Sequence, residues 1–540
     1  MYWKKINLNL LIYPVLSLLF FYPTYKYGFV TDFLSWLYKY ENGNWSDLKD
    51  CFGYDGLHHF FHLVNFTVYK VIGKSVFGWY VVMALLHGLN GLLISVWVKR
   101  IIDIYMLPRF SFLQWFIPIS FLFSPYAIEP VVWKACLHYL LSFGLIIGGF
   151  IYLLEYLEKR RGLWKVHLLF VLALLSLEIA LAVPFIYLIF WLAHTVIKND
   201  ENKVAHFVRI TIPQWVILVF YFLANKWYLG SWVGHYGEES HLNFDLHLMS
   251  GNAFQYLGKH TLFLHYLPFK TKYLVYDLIN HPVMIIIIIL LSLGWIVSVI
   301  RRHLRANEPA AILSIFSYVA FFMALFPISN LYFLKSQWYE NDRYGYLASV
   351  FLCFCIGLLI GKIKRNLLRN GILFLYLFIM FYCSLITLKT AYNTGKMVHG
   401  LVDNFDYYDE PEIVILAIPD NMEGMQMFRD YSRQSLSFIE SLYHFTGKNY
   451  EGKITEIAQI NVKTIKDRIG VEVIDSTTLK IKNPNIGSWF WRDGIGLINY
   501  ENEDYRVTKQ GWFYTLEIKK PIGNRIFLYF DGIEWKQVEF

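Results

Sequence analysis

Charge is what this sequence is shortest of. Asp, Glu, Lys and Arg make up 17% of its 540 residues, against roughly 25% in a soluble globular chain. With 56% of the residues hydrophobic, disorder, fibrous repeats and nucleic-acid binding are excluded as the main theme. Cysteine is scarce too. Cys51, Cys136, Cys353, Cys355 and Cys383 fall mostly in apolar segments, at spacings that suit neither a zinc site nor a disulfide framework. No Walker loop, dinucleotide fingerprint or HExxH pattern occurs. There is no repeat of about 20–50 residues, and no inverted repeat of spans of the transporter kind.

What is present is a set of long apolar runs, such as PVMIIIIILLSLGWIVSVI at 282–300 and the stretch 311–326. They make the chain an integral membrane protein. Windows of about 19 residues give eleven spans, near 6–23, 76–98, 110–127, 131–154, 166–178, 180–197, 206–228, 281–300, 310–329, 345–361 and 371–389. The first run follows Lys4 and Lys5, and no small-residue cleavage site succeeds it, so it reads as an uncleaved helix.

One set of short connections holds Lys99–Arg100, Lys159–Arg161, Lys198 and Lys203, Arg301, Arg302 and Arg305, and Lys362–Arg369; the alternate set holds few bases. The positive-inside rule puts the basic set and the N-terminus in the cytoplasm. The loop 24–75, the segment 229–280 and everything after the last span then face outward. Charge divides the chain in the same way. Of the 49 bases and 41 acids, residues 1–400 carry 33 and 19, whereas residues 401–540 carry 16 and 22.

The expected organisation is a transmembrane domain over 1–395, with the outward loop 24–75 and interfacial helices in 229–280. An α/β connecting segment at 396–450 and a small antiparallel β module at 451–540 follow. EIVILAI (412–418) reads as a strand and 425–444 as a helix, and from 452 onward VEVID, LKIKN, WFYTLEIKK and RIFLYF alternate at period two. The fold class is a polytopic α-helical membrane protein of about 11 transmembrane helices, with a C-terminal extracytoplasmic α+β domain.

A charge in hydrocarbon costs at least about 2.5–3.5 kcal/mol, so acids at the membrane point to function. Glu129, in SPYAIEPVVW, and Glu178, in LLSLEIALAVP, lie at the outward edge of apolar runs. Each reads equally as a helix-start residue or as part of a pocket. Asp32 follows the first span, in YGFVTDFLSW, and Arg343 opens the tenth, in ENDRYGYL beside Asp342. A guanidinium suits bidentate capture of phosphate; an interfacial arginine also snorkels. His87 and Asn90 lie one helical turn apart in the second span and read as a structural interhelical pair. His58 and His59 stand in the outward loop without metal-site spacing.

Taken in order, these pieces are an apolar first helix, Asp32, the HGLN of the second span, SPYAIEPVVW, SLEIALAVP, PISN (327–330) and DRYGYLAS (342–349). The order resembles the GT-C superfamily of polyprenyl-phosphate-sugar glycosyltransferases over about residues 5–395. It is most like the branch holding the protein O-mannosyltransferases, where the patterns read approximately H-P-x-x-x-E, S-K-E before a Pro, and E-R-Y-L-Y-L-P-S. The resemblance implies Asp32 as catalytic base, Arg343 as donor-phosphate ligand, and Glu129, Glu178, His58, His59 and Asn330 as pocket residues.

Three departures stand out: Phe33 follows Asp32 where a second acid is common, His58-His59 replaces Arg-Pro, and Leu177 replaces the Lys of S-K-E. Residues 416–442 resemble the region after the last span in bacterial members, which implies the cytoplasmic membrane of a bacterium.

The implied chemistry is an inverting transfer of sugar from a polyprenyl-phosphate donor to an acceptor hydroxyl on the extracytoplasmic side. The acceptor is a protein or glycan, and an envelope protein partner is expected at the C-terminal domain. No cofactor is expected, and a singly linked phosphate donor does not oblige a divalent metal. Two alternatives stay open. One is a non-catalytic GT-C-like scaffold subunit of a cell-envelope complex. The other is a lipid-linked polysaccharide polymerase or ligase, to which His235, His241, His247, His260 and His265 point.

Overall fold

The computed structural model describes residues 11–42, 56–199, 203–232, 245–331, 342–428, 437–482, 489–491, 499–511, 513–521, 523–532 and 534–540. His235 and His241 lie outside them. Each expected span meets an apolar helix. Among the described residues, eight helices are long and apolar enough to cross a membrane, one bent pair (Pro108–Leu122 with Pro125–Val132) makes a ninth, and Ile12–Thr24 and Leu163–Leu174 are shorter. Helix α1 (Ile12–Phe21) and α4 (Val76–Ile104) cross closely because α4 carries Gly88 there: a Cβ would lie 2.4 Å from Pro14 Cα. Between them in the chain come two outward helices, α2 (Asp32–Asn42) and α3 (His59–Ile72).

The expected third span, 110–127, is broken. Helix α5 (Leu113–Leu122) stops before Ser124, whose backbone is extended and whose hydroxyl accepts from Tyr126 N at 3.3 Å. A residue before proline is pushed out of the helical region, so the chain turns 53° at Pro125 and restarts as α6 (Ile128–Val132), which carries Glu129. Helix α7 (Leu137–Lys159) then crosses back to α8 (Leu163–Leu174). Leu177 is extended, and a 3-10 turn at Glu178–Ala182 leads into α9 (Val183–Lys198), with Pro184 in its first turn. Both candidate glutamates therefore sit where an apolar helix is interrupted.

Helices α10 (Lys203–Leu229), α11 (Leu246–Leu262), α12 (Phe269–Ile279), α13 (Pro282–Ala306), α14 (Pro309–Leu325) and α15 (Tyr346–Gly361) complete the bundle. Ile286, Ile287, Leu290, Leu291 and Leu293 of α13 are exposed. A helix this apolar on its outer face is covered by lipid rather than water. The basic connections meet at one end. Lys198 donates to the Ile104 carbonyl at 2.7 Å, Arg100 lies 3.8 Å from Glu155, and Arg109 donates to the Lys362 carbonyl at 3.0 Å. From that end α16 (Asn366–Asp403) runs 38 residues, about 57 Å, into the C-terminal domain at the other.

The boundary expected at 450 falls inside one sheeted unit. Strand β1 (Glu412–Ile415) pairs in parallel with β4 (Ile454–Glu456) and β12 (Arg525–Phe530), and β13 (Trp535–Gln537) closes that sheet. Strand β2 (Ile418–Met422) pairs in parallel with β5 (Ala458–Val462). Period-two patterning cannot tell parallel from antiparallel partners. The wholly antiparallel sheet has five strands in the order β6-β7-β11-β10-β9, from Gly470–Asp475, Thr478–Lys482, Phe513–Ile518, Tyr505–Gln510 and Asn499–Glu501.

The expected helix at 425–444 is also corrected. Glu423 and Gly424 both have positive φ (52° and 94°), as a tight hairpin turn requires, so Met425–Gln426 becomes β3 against β2. The helix α17 spans Ser437–Thr446.

Candidate functional site

Arg343 lies in the 3-10 turn Asp342–Gly345 that leads into α15. Its guanidinium Nη1 donates to Glu129 Oε1 at 2.5 Å, and its own backbone N–H donates to Glu129 Oε2 at 2.8 Å. Glu129 is 1% exposed. A buried carboxylate is tolerated when both oxygens are paired with charge and hydrogen bonds. One glutamate thus fixes both the main chain and the head group of the arginine. The guanidinium carbon sits 4.7 Å from the Tyr344 ring centroid and 5.2 Å from that of Trp133, stacking that suits its weakly hydrated plane.

Trp133 also reaches the other half of the site. Its indole Nε1–H donates to Thr31 Oγ1 at 2.9 Å, and the residue after Thr31 is Asp32. Asp32 opens α2 with its side chain exposed, at the positive end of the helix dipole. The Cys136 thiol feels the charges of Glu129, Arg343 and Asp32 together. Thr31 and Arg343, more than three hundred positions apart, therefore meet on one indole.

The turn that carries Arg343 stands on a buried pedestal. Asp342 forms an ion pair with Lys259 of α11, each 1% exposed, and His265 Nε2 lies 3.8 Å from the same carboxylate. Tyr126 donates its hydroxyl to the Lys259 carbonyl. Gly345 is required next to this pair, since a Cβ there would lie 2.5 Å from the His260 ring. Burial pushes His260 down to about 3, with Lys259 adding to the effect, and holds His265 well below its ordinary value. Both rings are neutral. On the far side Lys272 of α12, lowered to about 8 by burial, feels Glu423 from the β2–β3 turn, which burial raises to about 7.

Glu178 belongs to a second group. Its Oε1 is 2.7 Å from His58 Nε2, and its charge acts on Tyr221 of α10. The His59 ring lies 6.2 Å from Tyr228, and burial followed by the neighbouring His58 lowers its pKa. His62, one turn along α3, is pushed to about 3 by burial. Asn330 sits half-buried on a turn whose flanking carbonyls, Ser329 and Leu331, accept from Asn252 Nδ2 at 2.7 and 2.6 Å. The 3-10 turn just before it, Phe326–Ile328, packs beside Glu178–Ala182. The two groups are joined by touching rings, from Tyr344 through Tyr139 and His138 to Phe61.

His87 and Asn90 converge deeper in the bundle on one hydroxyl. His87 Nδ1 is 2.7 Å and Asn90 Nδ2 3.3 Å from Tyr346 Oη, and Asn90 also donates to the Leu140 carbonyl at 2.9 Å. Among the described residues no three His, Cys, Asp or Glu side chains gather to hold a metal ion.

Three contributors were not singled out from sequence: Trp133, Asp342 and Lys259. Trp133 lies four residues after Glu129 and Asp342 immediately before Arg343, so proximity to those candidates was the available signal. Lys259, a lone lysine in an aromatic stretch, offered none.

No protein-family description and no curated protein matches this chain. Among solved structures, it is similar to ArnT from Cupriavidus metallidurans bound to undecaprenyl phosphate, at 11% identity and a TM-score of 0.46, over 84% of this chain and 86% of that one. The apo state of the same protein gives 11% identity and a TM-score of 0.40, over 84% and 92%.

Proposed function

We propose that this chain is a GT-C-type membrane glycosyltransferase of the bacterial cytoplasmic membrane, moving a sugar from a polyprenyl-phosphate donor to an acceptor hydroxyl on the extracytoplasmic side. The observation that supports this reading is that Trp133 stacks on Arg343 and hydrogen-bonds to Thr31, the residue before Asp32, at the end of the bundle opposite the basic connections. A donor of this kind keeps its tail in the bilayer and its reacting carbon at the interface, so a base and a phosphate ligand are needed together just above the hydrocarbon.

The reaction is a single inverting displacement. Asp32 takes the proton of the acceptor hydroxyl, whose oxygen forms a bond to the anomeric carbon. The bond from that carbon to the phosphate oxygen breaks, and its electron pair leaves with polyprenyl phosphate. General-base help of this kind is worth roughly 10²–10⁴-fold. Arg343 meets the charge that develops on the phosphate. Glu129 holds it aimed at no reorganisation cost during the reaction, the preorganised electrostatics that usually contribute most. His58, His59, Glu178 and Asn330 form the side of the pocket toward the sugar. No metal step is required for a leaving group of this charge.

The test compares sugar transfer from a polyprenyl-phosphate donor and from a polyprenyl-diphosphate donor, using wild type and Arg343→Ala in lipid nanodiscs. Use of the monophosphate donor, with KM raised at least tenfold by Arg343→Ala, supports the reading. A strict diphosphate requirement favours the polymerase or ligase alternative, and no transfer from either favours the scaffold.

A further inference from the structure

The outer domain grips the segment that carries Asp32. Helix α2, described over Asp32–Asn42, is held between two surfaces. One face meets the bundle. Phe33 lies edge-on to Trp79 at 4.7 Å, and Trp36 lies edge-on to Phe61 at 5.4 Å. The other meets α17 of the outer domain. Ser35 Oγ donates to the Glu440 carboxylate, 3.0 Å from each oxygen, and His444 Nε2 lies 3.3 Å from the Leu34 carbonyl. Just upstream, Tyr27 donates its hydroxyl to the Gln426 carbonyl at 2.5 Å, Phe29 stacks on Phe445 at 6.3 Å, and His399 Nε2 is 2.9 Å from the Lys26 carbonyl.

Between these grips the backbone is strained. Thr31 has φ of +52°, a conformation that a β-branched residue adopts only when its surroundings impose it. Thr31 is anchored to Trp133 through its hydroxyl, and the next residue is Asp32. The direction in which the carboxylate leaves the chain is therefore set by a torsion that α17 and Trp133 hold from two sides.

We infer that the outer domain is part of the catalytic unit, and that Glu440, through Ser35 and the strained Thr31, is a positioning residue for Asp32. This rests on the reading of Asp32 as the base. Loss of the grip lets Thr31 relax to negative φ and swings the carboxylate, while Arg343 and Glu129, held from α6 and α11, stay in place. The effect falls on kcat and leaves the KM for the donor unchanged.

The experiment uses the full chain in nanodiscs, with a polyprenyl-phosphate-linked sugar as donor, solubilised envelope as acceptor source and release of polyprenyl phosphate as readout. Glu440→Ala is expected to lower kcat about ten- to hundredfold, the scale of a misplacement near 1 Å, with donor KM unchanged. Glu440→Gln, which still accepts from Ser35, stays within about threefold of wild type. Wild-type kcat in Glu440→Ala overturns the inference, as does an equal loss in Glu440→Gln or a raised donor KM. Should Glu440→Ala fail to fold, Ser35→Ala removes the same hydrogen bond and is judged by the same outcomes. Asp32→Asn, run in parallel, separates the two claims. Turnover retained there refutes the base assignment itself, whereas its loss together with normal Glu440→Ala kinetics refutes only the positioning role.

Discussion

Arg343 stacks its guanidinium on Trp133, 5.2 Å from the ring centroid, and the same indole hydrogen-bonds to the residue before Asp32. One aromatic side chain thereby ties Arg343 to the backbone segment that leads into Asp32, two stretches from opposite ends of the membrane domain's sequence.

Removing that spacer separates packing from hydrogen bonding. Trp133→Phe keeps a ring under Arg343 and loses the bond to Thr31. A net hydrogen bond of about 0.5–1.5 kcal/mol translates into roughly a 2- to 13-fold lower kcat, with donor KM near wild type. Steady-state kinetics on the variant check this.

The Glu129–Arg343 pair is buried, so deleting one partner exposes the cost of the other. Glu129→Ala leaves the guanidinium without its anion and is expected to lower stability by about 3–5 kcal/mol. Glu129→Gln, still able to accept from the Arg343 backbone N–H, costs less. Thermal unfolding in detergent, followed by intrinsic fluorescence, ranks the two.

The pedestal under Arg343 obeys the same logic. Lys259→Met strands Asp342 at 1% exposure and destabilises strongly. Lys259→Met with Asp342→Asn, which removes the stranded charge, recovers part of the loss. A double-mutant cycle of melting temperatures measures the coupling; additive losses contradict it.

Acid weakens the protein through its buried histidines. His62 and His260 are held near 3 and His444 near 4, all lowered mainly by burial. The unfolded chain binds their protons below about pH 6.5, whereas the folded chain does not until near pH 3–4. Their contribution is complete above pH 6.5 and is lost as pH falls through that window. Glu423, raised to about 7 by burial, works in the opposite sense between about 4.5 and 7. His59 and His265, lowered in the same sense, add to the histidines' side, so the melting temperature is expected to fall from pH 7 to pH 5, and His62→Gln should make that fall shallower.

The spans were legible because apolar runs of this length have few other physical explanations, and the interruptions at Pro125 and Pro184 mark where Glu129 and Glu178 turn inward. Grouping was not legible. Glu129 and Glu178 look alike in sequence, yet one meets Arg343 and the other His58, a choice made by how α6 and the 178–182 turn pack. The outer domain was misdivided for a similar reason: β1 finds partners about 40 and 110 residues away, pairings that no local pattern encodes. The grip of α17 on α2 is likewise a tertiary fact, linking positions 35 and 440.

The most direct test of the account is the turnover of purified Asp32→Asn with a polyprenyl-phosphate-linked sugar, beside wild type at the same donor saturation. The account predicts a kcat lower by roughly 10²–10⁴-fold with donor binding retained. Turnover equal to that of the wild type contradicts it.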